Sequence, residues 1–177
     1  MPYIIALLGM VGGAIFWIWR MRMAAEMTHE LAGVASDVMA AARRLGFRRR
    51  LNLHPVESVD DPKLAMAGLG IAFLELGGLP TKEQQDGLLR SLQTRLGQTL
   101  TAAEEAVILG RWLVSECGGA APAVDRLARR LVKLDRPGSL EPLMNVLNDI
   151  VVAGRDSKVS DRQREALGDI ARLYKLG

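Results

Sequence analysis

The sequence is poor in the residues that build most small catalytic and metal sites, with one cysteine and two histidines in 177 residues. The lone Cys117 excludes an intramolecular disulfide bond and fits a reducing compartment, and its place at the apolar end of a predicted helix favours packing over reactivity. Neither His29 nor His54 has a second histidine or cysteine at ligand spacing, so we expect solvated or loosely packed imidazoles and no metal site. No Ser/His/Asp or Cys/His arrangement and no phosphate loop occurs, so we expect neither an enzyme nor a bound cofactor.

Two further absences bear on the fold. No stretch alternates apolar and polar residues in the way that is typical of a strand, so the sequence predicts an all-α protein. Charge is missing from the 17 residues Tyr3–Trp19, which as a helix extend about 25 Å, at the short end of what crosses a hydrocarbon core of about 30 Å. Residues 1–23 are therefore predicted to be a single transmembrane anchor rather than a cleaved signal peptide or a buried helix. Side chains typical of the membrane interface are Trp17, Trp19, Arg20 and Arg22.

Basic residues are concentrated just after this anchor. Residues 20–50 hold seven arginines against three acidic residues, a net charge of +4, whereas residues 51–177 hold 16 basic and 17 acidic residues. By the positive-inside rule the N-terminus lies outside and the rest in the cytoplasm, which predicts a bacterial inner-membrane protein. We expect a basic amphipathic juxtamembrane segment over 24–50, helical to Leu45, that contacts anionic lipid headgroups; the near-neutral remainder argues against nucleic acid. The arginines in the second half of the segment are Arg43, Arg44, Arg48, Arg49 and Arg50.

Residues 51–61 contain two prolines and are predicted to be a linker to a body of six helices. An Arg136-Pro137-Gly138 turn is expected to separate the fourth helix from the fifth, with Ser139 as the cap of the fifth. The predicted helices cover 62–76, 81–96, 101–117, 121–134, 139–153 and 160–174. Helix-opening patterns occur at Asp61-Pro62 and as capping boxes at Thr81–Gln84, Thr101–Glu104 and Ser160–Gln163.

Two junctions of this body repeat. Residues 73–84 and 150–163 each run from an apolar helix through a glycine turn to an apolar residue, a Ser or Thr cap and a glutamine three residues on. Two such helical hairpins can pack across one core. This pattern over residues 62–177 resembles the tellurite-resistance TerB-like family, and the order of anchor, basic segment and helical body is similar to the front half of a membrane-anchored DnaJ-like co-chaperone. The resemblance implies a TerB-like helical bundle with an interaction role at a membrane surface.

Two sets of charged residues are candidate sites. Metal-binding members of that family carry acidic residues in the hairpin turns; here Glu75, Glu83, Asp156 and Asp161 are the residues able to hold a hard cation. First-turn and solvated-turn roles explain these four residues better, so we expect no metal site. The second set is a basic helix face that would dock an acidic partner or an anionic leaflet, or is simply solvated. Trp112, among apolar neighbours, is expected in the core. The basic face consists of Arg126, Arg129, Arg130, Lys133 and Arg136.

These features together predict a single-pass membrane protein whose cytoplasmic bundle binds or organises other proteins, for example as an accessory or assembly subunit of a membrane complex. Gly9 and Gly13 form a GxxxG pattern inside the predicted anchor, which lets a partner helix approach closely. The alternative is a metal- or stress-responsive sensor of the tellurite-resistance kind. The identity of the partner and the oligomeric state stay open at this point.

Overall fold

The computed structural model describes residues 35–50, 52–155 and 157–175. Every regular element within these ranges is helical, which confirms the all-α prediction. The predicted anchor, residues 1–23, lies outside the described residues, as do Gly9, Gly13, Trp17, Trp19, Arg20 and Arg22.

Among the described helices, none is both long enough and apolar enough to cross a bilayer.

The contacts reported below all lie within one unit, Ala40–Gly177. Its first helical residues end at 44, where Gly46 adopts a left-handed backbone angle of +69°, and residues 47–50 are not helical. A short 3-10 turn, Pro55–Ser58, follows. The longer helices are α1 (Pro62–Leu76), α2 (Lys82–Leu96), α3 (Leu100–Glu116), α4 (Ala120–Ala153) and α5 (Asp161–Lys175).

Helix α1 is the centre of the bundle. Its residues from Leu64 to Leu74 are all buried, as expected for a charge-free helix surrounded by other helices. It packs mainly against α4 and α3. The crossing with α3 is close because Gly110 lies directly against Gly68: a β-carbon added at Gly110 would stand 3.2 Å from the Gly68 α-carbon.

The helix starts follow the capping patterns at three of the four predicted places. The Asp61 carboxylate accepts the backbone N–H of Lys63, with Pro62 opening α1. The two capping boxes at Thr81–Gln84 and Ser160–Gln163 are confirmed, since in each the cap hydroxyl and the glutamine side chain both bond the opposite backbone N–H.

The predicted capping box at Thr101–Glu104 is wrong. Thr99 is the cap of α3, and its hydroxyl accepts the N–H of Ala102 at 3.2 Å. The chain reverses early because Gly97, in the left-handed conformation, ends α2, so that α3 already begins at Leu100.

The predicted turn at Arg136-Pro137-Gly138 is also wrong. Two helices do meet within Ala120–Ala153, as predicted, but the kink between them lies at Asp135 (φ −156°, ψ 78°), the one non-helical residue of that range. Asp135 caps the second half of α4, because its carboxylate accepts the N–H of Gly138, and Pro137 fits the first turn of a helix since no hydrogen-bond donor is needed there. Ser139 is therefore not the cap: its buried hydroxyl contacts the Asp135 carbonyl and the Tyr174 hydroxyl.

Candidate interaction surface

The chain that precedes the 3-10 turn is packed onto the bundle. Ala41 is buried, and Arg44 donates from Nη1 to Oε1 of Glu105 on α3 at 2.8 Å. Glu105 is only 6% exposed, so its carboxylate depends on this arginine for charge compensation. We call residues 44–50 the docked segment.

Trp112 lies beneath the docked segment. The Phe47 ring meets the Trp112 indole edge to face, with the ring centroids 6.0 Å apart at 77°. The Arg49 guanidinium stands over the same indole, 6.0 Å from its centroid. Trp112 is half-buried, so the expectation that it packs in the core is only partly right. Its partners Arg49 and Phe47 are 63 and 65 residues earlier in the chain, and no local sequence pattern predicts these contacts.

Asp60 connects the C-terminal end of the docked segment to α4. The guanidinium of Arg50 lies 3.7 Å from one oxygen of Asp60, and that of Arg130 lies 3.1 Å from the other. Arg130 also donates to the carbonyl of Val59 at 2.7 Å, and the backbone N–H of Arg50 donates to the buried Ser58 hydroxyl at 3.0 Å. Within the predicted linker, Val56 and Val59 are fully buried.

The predicted basic face on α4 divides into two kinds of residue. Arg126, Arg129 and Lys133 are exposed, and Arg129 pairs with Asp125 one turn earlier. Arg130 has a side chain only 16% exposed and is held by the Asp60 contact, while Arg136 is half-buried beside the break in α4. Arg130 thus links α4 to Asp60 and also adds a positive charge to this face.

The arginines of residues 43–50 also divide into exposed residues and residues held by contacts with the bundle. Arg43 and Arg48 are exposed, and neither forms an ion pair within the part of the chain that the structure describes. Arg44, Arg49 and Arg50 instead contact Glu105, Trp112 and Asp60. Residues 44–50 of the segment predicted as lipid-facing are therefore also part of the folded domain.

Cys117 and His54 lie at the end of α3 near this region. Burial raises the pKa of the Cys117 thiol, and the opposing charge of Arg126 does not outweigh that effect. The group is thus a neutral thiol at neutral pH, as expected of a packing cysteine. Nδ1 of His54 accepts the N–H of Val56 at 3.3 Å, and Nε2 lies 3.1 Å from the carbonyl of Glu116. With hydrogen on Nε2, both contacts are hydrogen bonds.

The acidic residues proposed for a cation have other roles where they are described. The pKa of Glu83 is lowered by its own backbone N–H and by the Thr81 hydroxyl, which fits a first-turn helix carboxylate. Asp161 pairs with Arg164 at 2.6 Å, and Glu75 is exposed at the end of α1. Asp156 lies outside the described residues. No cluster of three or more His, Cys, Asp or Glu side chains able to hold a metal occurs in the described ranges.

A groove that no sequence pattern predicts lies at the C-terminal end of α1. Its volume is about 500 Å³, and it runs between the end of α1, the turn into α4 and the outer face of α5. Two of its carboxylates, Asp125 and Asp169, are paired with Arg129 and Arg172. The charged residues of its rim are Glu75, Asp125, Arg162, Glu165 and Asp169.

Comparison with models of protein families, with curated proteins and with solved structures finds no match to this chain.

Proposed function

We propose that the protein is a single-pass membrane protein of the bacterial inner membrane, with its N-terminus outside and a TerB-like cytoplasmic bundle that binds other proteins of a membrane complex. In this proposal residues 1–23 fix the location and offer the Gly9/Gly13 face to a neighbouring transmembrane helix. The bundle supplies the recognition surface.

The observation that carries the proposal is the packing of the docked segment on α3 and on the 3-10 turn. The Arg44–Glu105 ion pair, the Trp112 contacts of Phe47 and Arg49, and the Arg50–Asp60 pair hold the chain from residue 44 onward. Residues 44–50 of the basic segment are thereby packed on the domain, so the proposed anchor would be joined to the bundle through a fixed stretch of chain. A domain held in this way meets membrane partners at a raised effective concentration, so weak contacts are sufficient for binding.

The TerB-like part of the proposal is supported by the two glycine-turn junctions. Both open a helix with a capping box, and the second junction is tied to α1 because Ser160 donates to the carbonyl of Leu76 and Gln163 donates to that of Phe73. The two hairpins thus meet at one end of α1, which fits a fold built from paired hairpins.

A pull-down of the full chain in mild detergent tests the proposal. We expect specific membrane proteins to copurify with the natural sequence and to be lost from a Gly9→Leu/Gly13→Leu variant, because leucine at both positions prevents close approach of a helix. Ala14→Leu is the matched control, since it adds the same side chain to a different face of the predicted helix. Recovery of no membrane protein with the natural chain would contradict the proposal, and equal recovery with all three chains would limit the anchor to localisation.

A further inference from the structure

We infer that the docked segment and the exposed face of α4 form one basic surface that binds the headgroups of an anionic bilayer. The inference rests on the proposed membrane anchor and names the lipid class that the same protein would contact. The surface consists of Arg48, Arg49, Arg50, Asp60, Glu116, Asp125, Arg126, Arg129, Arg130 and Lys133.

Asp60 joins two stretches that are far apart in sequence. Arg50 comes from the docked segment and Arg130 from α4, and the two guanidinium groups reach opposite oxygens of the one carboxylate. Asp60 is 67% exposed at its side chain, so the junction lies at the surface and not in the core. The two basic stretches therefore continue into each other across Asp60.

The residues of α4 extend the surface away from that junction. At about 100° per residue, Arg126, Arg129, Arg130 and Lys133 fall within an arc of about 100° on one side of the helix. Arg130 is at the edge of this arc and turns toward Asp60, while the other three are exposed. The exposed face of α4 thus adjoins the docked segment on the Arg130 side.

A second connection runs along α3. Arg49 stands over Trp112, His54 contacts the carbonyl of Glu116, and the charge of Arg126 acts on Cys117 at the end of the same helix. Arg126 therefore lies toward the end of α3, and the half-buried Trp112, five residues before Cys117 on that helix, contacts Arg49 of the docked segment.

The charge balance of the surface favours an anionic partner. Its seven basic residues face three acidic ones, Asp60, Glu116 and Asp125, and the net charge is +4. Residues 51–177, which supply four of these basic residues and all three acidic ones, carry a net charge of −1 as a whole. Asp60 and Asp125 are already paired with arginines of the surface. Flanking charges, Arg43 and Lys63 against Glu57 and Asp61, cancel.

A lipid leaflet is the occupant that this arrangement fits best. Exposed arginines on flexible side chains attract anionic headgroups at about 1 kcal/mol each and need no fixed geometry, and a tryptophan beside them is typical of the interface. The surface includes part of the basic segment 24–50 that follows the predicted anchor, so a leaflet is an anionic partner within its reach. An acidic protein is the competing occupant and is an outcome of the test.

The experiment uses the full chain with Trp17→Phe/Trp19→Phe, so that Trp112 is the only tryptophan, reconstituted into vesicles that carry a nitroxide on the lipid headgroup. Quenching of Trp112 fluorescence is measured in phosphatidylcholine alone and in a mixture with phosphatidylserine. We expect stronger quenching in the mixture, and loss of that difference when salt is raised, because screening weakens exposed charges.

The test variant is Arg126→Gln/Arg129→Gln/Lys133→Gln, and the control with the same charge change is Arg90→Gln/Arg155→Gln/Lys158→Gln, three exposed residues on α2 and in the turn before α5. The test variant should lose the phosphatidylserine-dependent quenching and the control should keep it. Equal quenching in both lipids with the unaltered surface overturns the inference and leaves the acidic protein as the occupant. If the test variant does not fold, the salt dependence of the unaltered surface decides the matter alone.

Flotation of the same samples separates the two proposals. A chain that floats with both kinds of vesicle but shows no phosphatidylserine-dependent quenching keeps the anchor and loses the lipid-binding surface. A chain that does not float with either kind contradicts the anchor and the inference together.

Discussion

Arg44 donates to the carboxylate of Glu105 across 61 residues of sequence, and the side chain that it reaches is buried while its own is 66% exposed. Arg44→Ala leaves Glu105 without its ionic partner. We expect a loss of about 1–2 kcal/mol in the free energy of unfolding, at the low end of the range for a charged hydrogen bond because one partner is exposed. Urea unfolding of the full chain in mild detergent, followed by circular dichroism, measures this loss.

Arg43→Ala is the control for that measurement, since Arg43 is exposed and makes no ion pair in the described part of the chain. We expect it to change stability by less than about 0.5 kcal/mol. Adding Glu105→Gln to Arg44→Ala should recover part of the loss, because a neutral amide costs less to bury than a carboxylate. Equal stabilities of the two alanine variants would show that the docked segment is not held by this pair.

The crossing of α1 and α3 is set by Gly68 and Gly110. Gly110→Ala places a methyl group 3.2 Å from backbone atoms of Gly68, which cannot move aside as a flexible side chain does. We expect a loss of about 1–3 kcal/mol, as for other overpacked cores, measured as a lower urea midpoint. Gly168→Ala is the matched control because a β-carbon there meets nothing within 4 Å, and it should be neutral or stabilising. Tolerance of Gly110→Ala would contradict the close crossing.

The two confirmed capping boxes are predicted to differ in cost. Gln163 is 3% exposed and donates to the carbonyl of Phe73 at 2.9 Å, whereas Gln84 is half-buried and serves its own helix. Gln163→Glu removes that donor and places a charge against a carbonyl, so we expect a loss of at least about 2 kcal/mol. Gln84→Glu keeps the capping acceptor and adds charge at a helix N-terminus, so it should cost almost nothing. Thermal unfolding of both variants makes the comparison, and equal midpoints would refute the tertiary role of Gln163.

Acid should weaken the contact between α2 and α4. Arg95 donates twice to the Asp149 carboxylate and Ser91 donates at 2.7 Å, and the hydrogen bond from Arg95 is the main cause that lowers the pKa of Asp149 below its usual 3.8. Because the folded-state pKa is the lower one, the stabilisation is complete above pH 3.8 and is lost as the pH falls below 3.8 toward the folded-state pKa.

Asp149→Asn tests this pH dependence. The variant should be less stable than the natural chain at neutral pH, and its unfolding midpoint should fall less steeply as the pH drops below 3.8, because the ionised group is gone. Asp125→Asn, in an exposed pair within one helix, is the control and should leave the midpoint almost unchanged. Parallel acid profiles of Asp149→Asn and the natural chain would rule out Asp149 as a source of acid lability.

Features with a local cause could be predicted from sequence. The Asp61-Pro62 start of α1 and the two glutamine capping boxes depend on residues within four positions of each other, and the charge-free stretch of α1 is one continuous run. The structure has all of them as expected. Thr99 and Thr101 both precede helix-forming residues, and only the position of the reversal at Gly97 selects Thr99. The Pro137-Gly138 signal in α4 likewise marks a real break, but the break falls at Asp135, which caps the helical half that follows.

The ion pairs between distant residues have no such local cause, so the sequence did not predict them. Arg44 and Glu105, or Arg130 and Asp60, are separated by 61 and 70 residues, and many other exposed arginines and acids are equally good partners by sequence. Which arginines of the basic stretch face solvent and which face the bundle is decided by how the docked segment packs. That choice is visible only once the fold is known.

Extraction of membranes with alkaline carbonate tests the membrane anchor most directly. The account predicts that the untagged full chain stays in the membrane pellet. A Leu8→Arg/Val11→Arg variant, in which each arginine costs about 2.5–3.5 kcal/mol near the bilayer centre, should move to the supernatant, and a Leu8→Val/Val11→Leu control should remain in the pellet. Release of the natural chain into the supernatant would contradict the anchor and the function proposed from it.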